Sequence, residues 1–227
     1  MKIGSSIDKE FDAFSVNYTE DMTKCVPYYQ KLLQTFSENL PPTFSPNRIL
    51  DLGCGNGNVT AQLLQKFPKS SYELLDASTE MIMLCKSRFS EYPIQYHTTF
   101  FNDFHFAENK YDMVAAGFSL HHCIAEEKKE FFKKIYTSLT SSGVFGICDL
   151  MIDRNSQEHP KLLQDWENFV FKNYSSLEKW EWLMEHYQEF DKPDDLNNHI
   201  LWLEQAGFTK IEPFVNDNYW VHLRAIK

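Results

Sequence analysis

The sequence predicts an α/β fold built on an open, mostly parallel sheet, and three observations predict it. Short apolar runs alternate with amphipathic helical stretches between about residues 46 and 151. Three of the eight glycines, at 53, 55 and 57, fall within five residues directly after the first such run. The run Met113 to Ala116 carries no charge, as a strand covered on both faces requires. Right-handed crossovers then place helices on both sides of the sheet.

Residues 7 to 40 have a helical pattern, with Phe11, Phe14 and Tyr18 at spacings of three and four, then Leu32, Leu33 and Phe36. The Pro-rich stretch Leu40 to Pro46 ends it. Arg48 to Leu52 reads as the first strand, followed by a helix from Asn58 with Val59, Leu63 and Phe67 on one face. Tyr72 to Leu75 is the second strand. Ser78 can cap the next helix, which has Glu80 in its first turn and Met81, Cys85 and Phe89 on its buried side. Residues 94 to 100 and 113 to 116 supply strands three and four. A helix over about 125 to 139 turns Phe131 or Phe132, Ile135 and Leu139 inward and pairs Glu130 with Lys134 outside. Gly143 leads into a strand from Val144 to Cys148.

Between residues 150 and 190 the alternation gives way to a long helical tract. Leu162, Leu163, Trp166, Phe169 and Val170 form one stripe, and Trp180, Leu183, Met184 and Tyr187 another. Trp180 and Trp182 point to different helix faces, so only one of them is expected in a given core. A helix over 195 to 206 buries Leu196, Ile200 and Leu203 and stops at Gly207. Ile211 to Val215 and Tyr219 to Ile226 then form an antiparallel pair across the turn residues Asn216, Asp217 and Asn218. The chain thus reads as one domain with four parts. They are a helical lid (1–45), a ligand-binding core (46–151), a helical cap (152–192), and a last helix with two edge strands (193–227).

Lys plus Arg number 22 against 32 Asp plus Glu, a net charge of −10. That balance argues against a nucleic-acid or anionic-membrane binder working through a general basic surface. The five cysteines are widely spaced with no CxxC pair, which fits neither a disulfide framework nor a zinc knuckle. Met1 to Glu10 lacks the layout of a signal peptide, and no apolar run approaches the roughly 18 residues of a membrane span. A cytoplasmic protein is expected, with no membrane partner and an oligomeric state left open.

Asp51 through Asn58 sits where the first strand gives way to the first helix, the place where such sheets bind ligands. Glycines there let the backbone approach a ligand closely. A dinucleotide fingerprint would need glycine at 58, where Asn stands, and a P-loop would need a Lys that is absent. A second acid, Asp76, follows Asp51 by 25 residues at the end of strand two, where it can accept both ribose hydroxyls. A ligand with an amino-acid end and a ribose but no pyrophosphate meets both demands. S-adenosylmethionine is such a molecule.

Over roughly residues 45 to 151 the sequence resembles the class I S-adenosylmethionine-dependent methyltransferases. Ile49 to Gly55 is similar to the family's first motif, Leu74 to Ser78 to its ribose-binding acid, and Tyr111 to His122 to its fourth-strand motif. Leu139 to Gly143 looks like its approach to strand five, with Ser142 in place of one Gly. The resemblance implies a Rossmann-like seven-stranded sheet completed by a C-terminal antiparallel hairpin. It also implies S-adenosyl-L-methionine as cofactor, leaving S-adenosyl-L-homocysteine. The residues to hold it would be Asp51, Gly53, Cys54 and Gly55 of the loop, Asp76 and Ala77 for the ribose, Met81 against adenine, and Phe101 and Phe118. The family's acid after strand three falls near Phe100, and Asn102 or Asp103 can replace it in holding the adenine amino group. Cys54 itself reads as a small buried residue rather than a nucleophile.

Methyl transfer from a sulfonium is an in-line displacement that needs position and water exclusion more than a reactive side chain. By position, the catalytic candidates are His121 and His122 just past strand four, and Tyr18 in the N-terminal helix. Trp166, Tyr174, Trp180 and Trp182 could line a pocket for a small, partly aromatic or apolar acceptor. No metal is expected at His121-His122-Cys123, because adjacent loop side chains seldom converge and no matching acid pair is evident. The adenine-methylating enzymes of nucleic acid carry Asn/Asp-Pro-Pro-Tyr after strand four, where this chain has Gly117-Phe118-Ser119-Leu120. The helical tract and tail also resemble the enzyme that makes carboxy-S-adenosylmethionine for tRNA wobble-uridine modification. That enzyme holds its extra carboxylate with an Arg near positions 178 to 182, where Lys179 is the one basic residue here. A non-catalytic S-adenosylmethionine-binding protein is the third alternative, against which the intact glycine loop counts.

Overall fold

Alternating residues along the central strands face two separate apolar layers. Ile49 and Met113 belong to one buried cluster, while Leu50 and Val114 belong to the other. The computed structural model describes residues 17–38 and 40–227, with the side chains of Asn216 and Asp217 excepted. The expected helical positions Phe11 and Phe14, and the lid as far as residue 16, lie outside the described residues.

Five strands pair in parallel: β1 (Arg48–Leu52), β2 (Ser71–Asp76), β3 (Gln95–Thr98), β4 (Tyr111–Gly117) and β5 (Leu139–Leu150). Two more, β6 (Lys210–Asp217) and β7 (Trp220–Ile226), close one edge antiparallel. The order is β3-β2-β1-β4-β5-β7-β6, so the winding reverses between β1 and β4 and opens a crevice beyond their carboxyl ends. This is the Rossmann-like seven-stranded sheet expected from the sequence.

Several boundaries shift for local reasons. β5 begins at Leu139 rather than Val144, because Leu139 pairs with Tyr111 before the register slips. The hairpin turns at Asn218–Tyr219 rather than across 216–218. Both turn residues have positive φ (48° and 69°), as the tight two-residue turn of a twisted hairpin requires.

The N-terminal helical stretch divides into α1 (Tyr18–Cys25) and α2 (Tyr29–Gln34). Pro27 causes the break: it holds Val26 extended, and Tyr28 follows with φ of 61°. Helices α3 (Asn58–Lys66) and α4 (Thr79–Arg88) follow β1 and β2, with Phe67 half-buried just past the end of α3. Ser78 caps α4 by accepting from the Met81 N–H at 3.1 Å. α5 (Ala125–Ser138) buries Phe131, Phe132 and Ile135. On its outer face Glu130 pairs with Lys133 at 2.8 Å instead of Lys134, which lies over the Phe131 ring.

The expected long tract is two helices, α6 (His159–Asn173) and α7 (Leu177–Phe190), separated where Ser176 caps α7. Trp180 and Trp182 both pack against the same apolar cluster, contrary to the expectation that only one would, because each is only half-buried and the cluster wraps the helix. α8 (Leu196–Ala206) ends at Gly207 with φ of 112°. It buries His199, Trp202 and Leu203, leaving Leu196 and Ile200 half-buried at the margin.

Three polar ties join the N-terminal helices, the sheet and the helices after β5. The Trp166 indole N–H donates to Cys25 O at 2.6 Å, bringing α6 against the end of α1. The buried Arg224 guanidinium donates to Thr35 O and Glu38 O beyond α2. The fully buried Lys128 ammonium reaches Asp194 and the carbonyl of Lys192, joining α5 to the segment after α7. Among the described residues, no helix is long and apolar enough to cross a membrane.

Candidate functional site

The loop after β1 is shaped by its glycines. Gly53 has φ of 67°, and a Cβ there would come within 2.3 Å of Ser119 Cβ, so β1 and β4 can approach only through a residue without a side chain. Ser119 completes this contact by donating its hydroxyl to Leu52 O at 2.8 Å. Gly55 also has positive φ, and its N–H donates to Asp76 Oδ2 at 2.8 Å, while Ser78 N–H donates to Oδ1 at 2.9 Å. Asp76 therefore ties the glycine loop to the end of β2.

These elements wall a cavity of about 870 Å³ over the crevice. Of the residues expected to hold the cofactor, Gly53, Gly55, Asp76, Ala77, Met81, Phe101, Asn102 and Phe118 line it. Asp51, Cys54 and Asp103 do not. Asp51 is fully buried and accepts the Thr60 hydroxyl at 2.5 Å, so it positions the start of α3, and burial pushes its carboxyl up to about 7. The Cys54 side chain turns inward to lie 4.0 Å from Cys85. Asp103 is exposed on a short 3₁₀ turn, while Asn102 beside it reaches the cavity rim and donates to Glu127 at 3.2 Å.

A second cavity, of about 740 Å³, lies between β4, β5, α1 and the cap. Its apolar wall includes Trp166, Trp182, Tyr187 and Trp220. Tyr174 and Trp180 are not part of it. The Tyr174 hydroxyl donates to Asp21, and Trp180 packs edge-on against Trp166 from behind, at 5.9 Å between centroids.

The polar wall of this cavity is a histidine–carboxylate cluster. His121 and His122 occupy a 3₁₀ turn after β4, with ring centroids 3.9 Å apart. Asp149 near the end of β5 bonds His121 Nδ1 and accepts the His121 N–H at 3.0 Å. Asp191, just past α7, brings its Oδ1 to 3.3 Å from His122 Nδ1 and 3.6 Å from His121 Nε2. His186 Nε2 is also 3.6 Å from that oxygen.

The cluster sets its own charges. Burial alone would lower the His121 imidazole, yet Asp149 and Asp191 hold it above its ordinary value. Burial and the neighbouring His121 hold His122 down, and burial takes His186 down to about 4. Burial would raise Asp191, but the surrounding imidazoles keep its carboxyl below the usual range. The sequence-based expectation of no metal at His121-His122-Cys123 rested on adjacent loop side chains seldom converging and on the lack of a matching acid pair. Asp149 and Asp191 supply such a pair from 28 and some 70 residues away.

Tyr18, Phe118 and His122 line both cavities. Tyr18 is buried, and burial holds its phenol protonated, well above the ordinary value. Phe118 has φ of 55°, a strained conformation for a non-glycine residue, and its N–H is pinned to Cys148 O at 2.8 Å. Sequence reasoning missed Ser119, Glu127 and Phe131 around the first cavity and Asp149, His186 and Asp191 around the second. Asp149 could have been found as an acid closing the strand-five run; Asp191 had no local signal.

A family model described as a methyltransferase domain matches residues 49–143. The carboxy-S-adenosyl-L-methionine synthase of Campylobacter fetus subsp. fetus is 27% identical over 174 residues, 74% of each chain. A Haloferax volcanii protein solved in complex with the Trm112 methyltransferase activator superposes with a TM-score of 0.68 at 14% identity, covering 97% of both chains. Human N-acetylserotonin methyltransferase in complex with S-adenosylmethionine gives 0.63 at 16% identity, covering 97% of this chain. This chain spans only 56% of that enzyme's length.

Proposed function

We infer from this chain's place among the class I S-adenosylmethionine-dependent methyltransferases that it moves a methyl group to a small, partly aromatic or apolar acceptor held in the second cavity. The observation that carries the reading is the common wall. A cofactor lying along the glycine loop, with its ribose on Asp76, would direct its sulfonium past Phe118 toward Tyr18 and His122. An acceptor on the far side would then stand behind the methyl carbon, as in-line displacement requires. The acceptor's lone pair forms the new bond while the C–S electron pair returns to sulfur.

The residues divide the work by position. Tyr18, kept protonated, can donate to the cofactor or acceptor but is no base at neutral pH. His122 borders both ligands, and His121 is oriented by Asp149 one step further into the acceptor cavity. Trp166, Trp182 and Trp220 exclude water and favour an acceptor with an apolar or aromatic body. The net charge of −10 supports a diffusible cytoplasmic acceptor rather than nucleic acid.

Lys179, the residue that keeps a carboxy-S-adenosylmethionine reading in play, is tied to Asp21 at 3.0 Å and lies over the Trp182 ring, and it lines neither cavity. Calorimetric titration with S-adenosylmethionine and S-adenosylhomocysteine, then mass spectrometry of reactions with pooled metabolites, separates the readings. A methylated metabolite is the expected product. A carboxylated cofactor would transfer the chain to the synthase reading, and binding with no product would make it a non-catalytic binder.

A further inference from the structure

The spacing of the histidine–carboxylate cluster is unusual for hydrogen bonding. N···O separations of 3.3 Å and 3.6 Å, from Asp191 Oδ1 to His122 Nδ1 and His121 Nε2, are longer than good charge-assisted hydrogen bonds. They match the separation of two ligand atoms that share one ion: bonds of about 2.0 to 2.2 Å at tetrahedral or octahedral angles put neighbouring ligands roughly 2.8 to 3.6 Å apart. One ligand atom from each of His121, His122 and Asp191 lies within 4.8 Å of the others. We propose that His121, His122 and Asp191 form a binding site for one divalent first-row transition metal ion in the wall of the acceptor cavity.

The surroundings have the parts such a site needs. Asp149 takes Nδ1 of His121, which leaves Nε2 for the metal and fixes the ring's orientation, the usual service of a carboxylate behind a ligating imidazole. It also accepts the His121 backbone N–H, so both ring and backbone are held by one carboxylate. The Asp191 side is held as firmly. The Lys192 N–H donates to His121 O at 2.6 Å, and the Arg154 guanidinium donates to Asp191 O at 2.9 Å. Two imidazoles and one carboxylate select borderline ions such as Zn(II), Fe(II) or Co(II) over Mg(II) or Ca(II). They also leave coordination positions open toward the cavity.

This inference rests on the methyl-transfer reading for its use, though not for its geometry. An acceptor offering an oxygen or nitrogen donor would bind the open position, and coordination would lower the pKa of its X–H group. The proton leaves to solvent on binding, and the lone pair so exposed attacks the methyl carbon, with the C–S electrons returning to sulfur. The acceptor class is therefore narrowed to molecules with a metal-binding polar end and an apolar body. Because Asp191 comes from the cap and the two histidines from the core, the ion would also hold the cap closed.

The test is metal uptake by the tag-free full chain, stripped with a chelator and equilibrated with Co(II) or Zn(II) alone. Metal content after dialysis and the visible absorption of the Co(II) form are the readouts. The wild type should take up one ion per chain. Asp149→Asn should weaken uptake about 10- to 100-fold, and His122→Ala or Asp191→Asn should abolish stoichiometric binding. Cooperative thermal unfolding of each variant checks that it has folded. No stoichiometric uptake by the wild type, or full uptake by a folded His122→Ala/Asp191→Asn double variant, would overturn the proposal. S-adenosylhomocysteine titration of the same samples keeps the two readings apart. A chain that binds it but takes up no metal contradicts the metal site alone, and one that takes up metal but not the nucleoside contradicts the methyl-transfer reading.

Discussion

The two cavities are built in different ways although they share a wall. The cavity proposed for the cofactor is formed mostly by short segments at the carboxyl ends of β1 to β4, and its shape depends on backbone: positive φ at Gly53 and Gly55, and a carboxylate gripping two N–H groups. The cavity proposed for the acceptor is assembled from α1, the turn after β4, the end of β5, α6, α7 and the start of β7, and its shape depends on side chains from distant parts of the chain. A backbone site is held by the sheet itself. A side-chain site is held only as long as the cap stays docked.

The largest effect should come from undocking that cap. Trp166 is 3% exposed, stacks edge-on with Trp180, Tyr187 and Trp220, and bonds Cys25 O. Trp166→Ala should cost about 3–5 kcal/mol of stability, measured by denaturant unfolding. If the core unfolds independently, an early transition reporting only the cap should appear, which would sharpen the contrast; a loss under 1 kcal/mol would break it.

A smaller but more local loss is expected from Gly53→Ala. The new Cβ meets Ser119 Cβ at 2.3 Å in a conformation that L-residues disfavour, so the loop must shift at a cost of about 1–3 kcal/mol. S-adenosylhomocysteine affinity should fall while the acceptor-side fluorescence of the tryptophans stays as in wild type. An unchanged affinity would show that the loop tolerates a side chain.

A different kind of effect is a pH dependence beneath the glycine loop. Asp51 is raised by burial from 3.8 to about 7, so between those values the folded state holds a proton that the unfolded state has released. Its contribution to stability is greatest below the unfolded value and is lost as pH rises through the folded one. Asp51→Asn should flatten the fall in stability between about pH 4 and 7, read from melting temperatures across that range. A fall as steep as in the wild type would assign the dependence to other groups.

The same contrast explains what could be read from the sequence. Gly53, Gly55 and Asp76 announce themselves because their roles are local: a strand, a turn and an acid at the next strand's end carry the information within 25 residues. Ser78 and Gly207 were legible as caps for the same reason. Asp103, by contrast, was expected at the cofactor because only its place after strand three was visible, whereas the 3₁₀ turn aims it outward. Tyr174 and Trp180 show the limit of helical stripes. Periodicity says which face is apolar but not whether that face meets a cavity or another indole, and here they meet Asp21 and Trp166. The convergence of Asp191 on His122 depends on how α7 docks on the core, which no local pattern encodes.

The division between the two cavities is tested most directly by calorimetric titration of S-adenosylhomocysteine into the wild type, Asp76→Ala and Trp182→Ala. Loss of the Asp76 carboxylate should cost about 1.5–3 kcal/mol, roughly a ten- to 150-fold weaker Kd. Trp182, which lines only the acceptor cavity, should change that Kd less than about threefold when replaced, under 1 kcal/mol. An Asp76→Ala chain that binds as tightly as the wild type, or a Trp182→Ala chain that loses the nucleoside, would contradict the assignment of one cavity to the cofactor and the other to the acceptor.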